Sequence, residues 1–149
     1  MVINGFIVLV SMLLLAYWFR YTCLLVLRTS QSRTYAQQVA SANRLSFPQV
    51  RSELAEINAG PELDKLHALL ERDYRLMKYL SRNCAIFRTS DWEVEQWLLR
   101  IDFHFMRAAY SVTRRLAVSE GQQALQEMAD IIAHMANTMG ERAAEAAAH

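Results

Sequence analysis

Hydrophobic and polar positions follow two different patterns along this chain. Residues 2–19 carry no charge, and only Asn4, Gly5 and Ser11 interrupt an apolar run. Beyond residue 28, apolar side chains recur at helical spacing among charged ones. As a helix the first run extends about 27 Å, close to the thickness of a hydrocarbon core, so the pattern predicts a transmembrane anchor. A cleaved signal peptide fits less well, because no Lys or Arg precedes the run and no small-x-small site follows it before Arg20.

The run ends in "YWFRYTCLLVLR". Tyr17, Trp18 and Tyr21 surround Arg20, and rings of this kind settle at headgroup level while an arginine stem can snorkel there. Leu24, Leu25 and Leu27 then lead to Arg28 as a segment too short to span. These eight residues form the expected membrane interface, with the leucines facing lipid or a partner chain. Arg20, Arg28, Arg33, Arg44 and Arg51 all lie C-terminal to the run. The positive-inside tendency therefore predicts an inner (plasma) membrane protein with its N-terminus outside and the rest cytoplasmic.

Residues 28–45 are polar with faint apolar spacing at Tyr35, Val39 and Ala42, and read as a helical stalk leaving the membrane. Ser46 as cap, Pro48 in the first turn, Val50, Leu54 and Ile57 in register, and Gly60-Pro61 as a stop predict a short helix. From residue 61 to about 84, Leu63, Leu66, Leu70, Met77, Leu80 and Cys84 form the seam of a bundle helix, interrupted by Asp73. Thr89 or Ser90 can cap the next helix, with Asp91 and Glu93 suited to its first turn. It runs to about Val118, and Val94, Leu98, Ile101, Phe105, Ala109, Val112 and Leu116 share one face that is expected to enter the core. Ser119 and Glu120 open a last helix with a stripe of Ala124, Leu125, Met128, Ile131, Ile132, Met135 and Met139, which Gly140 should end.

The expected fold class is all-α: a single N-terminal transmembrane helix followed by a small antiparallel helical bundle. Its parts are the anchor and interfacial end at 1–27, the stalk at 28–45, the cytoplasmic bundle at 46–140 and a frayed Ala-rich tail at 141–149. Composition agrees, since four Gly and two Pro are few for an all-β chain. Sixteen basic against 15 acidic residues give a net charge of +1, which supplies no global field for nucleic acid. Cys23 and Cys84 are isolated, so neither a disulfide framework nor a thiolate metal site is legible.

Three features invite a chemical reading. On the helix from Ser90, Arg100, Arg107 and Arg114 recur every seven residues opposite the expected core face, interleaved with Trp92, Phe103 and Tyr110. Either a neighbouring helix covers those rings, with the arginine stems lying over them, or the six residues form a docking surface for an acidic protein or anionic lipid. Asp73 in an apolar seam needs a partner, expected to be Arg107 or Arg115, with Arg72 turned away. His67 follows Asp64 by three residues, His134 follows Asp130 by four, and His104 flanks the core stripe. No Glu-x-x-His pair, phosphate loop or nucleophile elbow is present, so no cofactor, metal or catalytic residue is expected.

These features predict a membrane-anchored interaction module: a scaffold, assembly factor or accessory subunit of a larger membrane complex, and not an enzyme. Its partners would be membrane lipids and membrane-complex proteins, without nucleic acid. Asn4, Gly5 and Ser11 could also support a homo-oligomer of the anchor. The competing classes are a signalling or ligand-binding bundle, with a haem or metal ligand among the histidines, and an enzyme without a recognisable motif.

Overall fold

The structure, a computed structural model, describes residues 2–29, 34–56, 60–84, 90–114 and 118–148; side chains in the first of these are described for Gly5 and residues 7–22. Six helices are present among the described residues, and no strand. They are α1 (Val2–Thr29), α2 (Thr34–Asn43), α3 (Phe47–Leu54), α4 (Gly60–Asn83), α5 (Ser90–Thr113) and α6 (Val118–Ala147). The chain divides into two compact units, residues 1–31 and 32–149.

The first unit is α1. Its described side chains are exposed, Leu13, Leu15, Tyr17 and Trp18 among them, except Phe19 and Arg20, which are half-buried. No helix among the described residues is long and apolar enough to cross a membrane. The predicted transmembrane helix is therefore not a feature of the described structure.

In the second unit, α6 is the centre, packed against α2, α3, α4 and α5. The stripe foreseen on it is buried, and burial goes further: every residue from 131 to 137 is buried. The buried run includes two polar residues, His134 and Asn137, whose side chains bond Glu95 and Glu141. Ala129, Ala133, Ala136 and Gly140 are the small positions that let neighbours approach closely.

Two boundaries differ from the expected ones. Residues 34–45, expected as a stalk, belong to the same compact unit as the bundle, with Ala36, Ala40 and Leu45 buried and α2 packed on α6. Gly140, expected to stop α6, lies within it, and the helix runs through the Ala-rich tail to Ala147. No glycine among the described residues has positive φ, so Gly140 serves as a contact point instead of a terminator. A Cβ added there would overlap Tyr35 Cβ and stand 3.3 Å from Val39 Cγ2.

The corner between α2 and α3 explains Asp73. Arg44 adopts a left-handed φ of 53°, and the Leu45 N–H returns to the Ala40 carbonyl at 2.9 Å, closing α2 with a Schellman turn. Ser46 then makes no side-chain cap for α3. Asp73, 1% exposed, reaches across from α4, and its Oδ2 accepts the backbone N–H groups of Ser46 and of Phe47, the latter at 2.8 Å. Its ion-pair partner is Arg72 at 3.3 Å, in place of Arg107, while Arg115 lies outside the described residues; the same guanidinium group donates to Ser46 Oγ at 2.8 Å. The buried charge is thus a helix cap delivered from another helix. It answers two N–H groups that the first turn of α3 would otherwise leave unpaired.

Candidate functional site

The faces of α5 decide what this bundle can present. Phe103 and Tyr110, each 1% exposed, lie in the core with Leu99 and Met106. The side expected to be core faces outward: Val94 and Val112 are each 61% exposed, Ile101 and Phe105 are exposed, Leu98 and Ala109 are half-buried, and Leu116 lies outside the described residues; Trp97, 55% exposed, stands beside them. This is the reverse of the orientation read from the apolar stripe, and the chemistry of α4 gives the reason.

Phe103 stacks on Tyr74 with ring centroids 3.8 Å apart, and Tyr110 stacks on His67 at 4.6 Å. The Tyr110 hydroxyl donates to Asp64 at 2.8 Å. Arg114 bonds the same carboxylate at 2.7 Å, and Arg107 meets Glu71 at 2.7 Å. Asp64 and Glu71 stand seven residues apart on α4, as Arg107 and Arg114 do on α5, and the pairs meet in opposite order, so the two helices are antiparallel. Burying Phe103 and Tyr110 gains stacking on Tyr74 and His67 and a charge-assisted hydrogen bond to Asp64, partners that α4 supplies. Arg100 has no carboxylate in this register and donates to the Gln96 carbonyl at 3.1 Å.

The six residues of the expected docking surface are therefore not brought together as one face. Phe103 and Tyr110 are interior, Arg107 and Arg114 are ion-paired to α4, Arg100 turns to its own helix, and the Trp92 side chain lies outside the described residues. Of the membrane-interface set, Tyr17, Trp18 and Tyr21 are exposed and Arg20 is half-buried. The Leu24, Leu25, Leu27 and Arg28 side chains lie outside the described residues.

The histidines have structural surroundings. His134 bonds Glu95 at 2.8 Å in place of Asp130, and this bond is the main reason the Glu95 carboxyl sits below its usual range. Burial under the bundle surface pushes the His67 imidazole down. His104 is exposed and meets Tyr74 and Phe103 edge-on. Among the described residues no group of three His, Cys, Asp or Glu side chains is placed to hold a metal.

Two surfaces remain. One is the outer apolar stripe of α5; Trp97, its largest member, is marked in the sequence only by standing three residues after Val94. The other is an open groove of about 510 Å³ on α4, lined by Arg75, Lys78, Tyr79, Arg82 and Asn83. Three cations within two turns, with an exposed ring beside them, form a place where a phosphate or carboxylate group can lie. Comparison with protein families, curated proteins and solved structures finds no match to this chain.

Proposed function

We propose that this chain is a membrane-tethered helical interaction module, a scaffold or accessory subunit of a membrane complex, that docks through the outer face of α5. The observation that carries the reading is the exposure of Val94, Trp97, Ile101 and Val112 on a helix whose other side is already filled by the core. Contiguous apolar surface of this kind on a small domain marks a place where another surface binds. An enzyme needs convergent reactive groups instead, and the outer face of α5 offers apolar side chains.

The apolar run at 2–19 and the rings around Arg20 support α1 as the tether, its N-terminus outside and the bundle on the cytoplasmic side of the inner membrane. A photoreactive amino acid in place of Trp97, irradiated in intact membranes, tests the docking face. Adducts at position 97 that are lost with Ile101→Arg are expected. The absence of any adduct from position 97, with adducts appearing instead from Gln38 on α2, would sink the reading.

A further inference from the structure

The ion pairs between α4 and α5 form a ladder that breaks at its third rung. Asp64 meets Arg114 and Glu71 meets Arg107, each at 2.7 Å. One heptad further along, the same antiparallel register sets Lys78 across from Arg100, cation against cation. Arg100 turns away to the Gln96 carbonyl at 3.1 Å. No acid is at hand: between Asp73 and Asp91 the chain carries Arg75, Lys78, Arg82 and Arg88 and neither Asp nor Glu. We infer that this basic end of α4, completed by Arg100, holds the headgroup of an anionic phospholipid. The inference rests on the membrane tether proposed above and makes no use of the apolar stripe of α5.

Arg75, Lys78, Tyr79 and Arg82 stand at i, i+3, i+4 and i+7 on one side of the helix, and with Asn83 they line the open groove of about 510 Å³. A groove lined by one helix has a floor without an opposing wall, which suits a group presented on a surface. Its guanidinium and ammonium groups can donate to the phosphate and carboxylate oxygens of a headgroup. The Tyr79 ring, 64% exposed, is of the type that settles at headgroup level. The helix dipole accounts for Arg82 in the last turn, but not for a lysine facing an arginine. Like charges in register cost stability, and an anion between them removes that cost. Attachment to the same membrane raises the local concentration of headgroups, so contacts that are individually weak suffice.

The test uses the full chain with Cys23→Ser, Cys84→Ser and Asn83→Cys, a fluorophore attached at position 83, in liposomes of phosphatidylcholine alone or with phosphatidylserine. Acrylamide quenching of the label is expected to be several-fold weaker with phosphatidylserine, and to return to the phosphatidylcholine level with Lys78→Glu. Because that substitution gives Arg100 a carboxylate, the same variant should unfold at a higher temperature than its parent. Equal quenching on both lipids would overturn the inference. So would equal protection by soluble glycerophosphoserine added to phosphatidylcholine liposomes, which would make the site one for a free phosphate ester. An unchanged or lower unfolding temperature for Lys78→Glu would remove the register, and the inference with it. Flotation of the liposomes in high salt reads the tether separately. A chain that stays with them but shows no lipid difference refutes the headgroup contact alone. A chain that leaves them, yet is protected by phosphatidylserine at low salt, refutes the tether and supports the contact.

Discussion

Asp73 on α4 accepts the backbone N–H of Phe47 at 2.8 Å, twenty-six residues back along the chain. A helix cap normally comes from the residue beside the helix start, and Ser46 occupies that place without performing the task. Moving the cap to α4 makes the start of α3 depend on tertiary packing.

Removing that carboxylate should therefore cost more than removing its ion pair. Asp73→Ala leaves two N–H groups without acceptors and is expected to lower stability by about 1–3 kcal/mol. Arg72→Ala, whose side chain is 56% exposed, should cost less than about 1 kcal/mol. Urea denaturation of the two variants checks the order, and a larger loss for Arg72→Ala would refute the capping assignment.

Gly140 and Gly121 should respond to alanine with opposite signs. Within a helix, Gly→Ala normally stabilises by roughly 0.5–1 kcal/mol. At Gly121 the nearest atoms to an added Cβ stand at 3.7 Å, ordinary contact, so that gain is expected. At Gly140 the Cβ would overlap Tyr35, and a loss of about 1–3 kcal/mol is expected from overpacking. Thermal unfolding of both variants reads the two signs directly.

The orientation of α5 is open to an equally direct check. Phe103→Ala should destabilise by about 3–5 kcal/mol, as for a core ring. Trp97→Ala should stay within about 0.5 kcal/mol at concentrations where the chain is monomeric. The reverse result would restore the rotation in which the aliphatic stripe faces inward.

Much of the bundle is legible in the sequence where a helix is apolar on one side only. The seam of α4 from Leu63 to Met77 is buried as its spacing predicts, and so is the stripe of α6. Helix α5 defeats this reasoning because it is apolar on two sides, and periodicity cannot choose between them. A second signal could have chosen: Asp64 and Glu71 match the spacing of Arg107 and Arg114 for an antiparallel neighbour. The role of Asp73 has no such signature, because a cap supplied from across a fold leaves no local spacing. Gly140 misleads for a related reason, since a glycine needed for close approach looks in sequence like a helix stop.

Acid should weaken the bundle through Glu95. Its hydrogen bond to His134 holds the carboxyl below the ordinary 4.5, so the stabilisation is complete above that pH. It fades as pH falls through the lowered value. Asp64, lowered chiefly by the Tyr110 hydroxyl, acts in the same sense below its ordinary 3.8. Asp73 is raised by burial and acts in the opposite sense, its contribution being lost as pH rises through the raised value. Glu95→Gln should flatten the fall in stability below about pH 4.5, measured by urea midpoints across the carboxylate range. An unchanged acid slope would show that the Glu95–His134 bond contributes nothing to it.

The groove on α4 should recognise anionic headgroups. Replacing Arg75, Lys78 and Arg82 together by Gln is expected to weaken sedimentation with phosphatidylserine vesicles by tenfold or more, at roughly 1 kcal/mol for each cation near the surface. Binding to neutral phosphatidylcholine vesicles should not change. Equal losses on both vesicle types would refute the charge-based contact.

The enclosure of α6 has a consequence in time. The helix that α2, α3, α4 and α5 all pack against is synthesised after every one of them. At roughly 5–20 residues per second, the buried faces of Ala36 and Ala40 wait on the order of ten seconds before residues up to 140 are made. Throughout that interval α3, α4 and α5 can meet one another, through Asp73 at the start of α3 and the Glu71–Arg107 and Asp64–Arg114 pairs, but the faces that pack on α6 stay open. The nascent protein is thus exposed to mispairing until its final helix emerges.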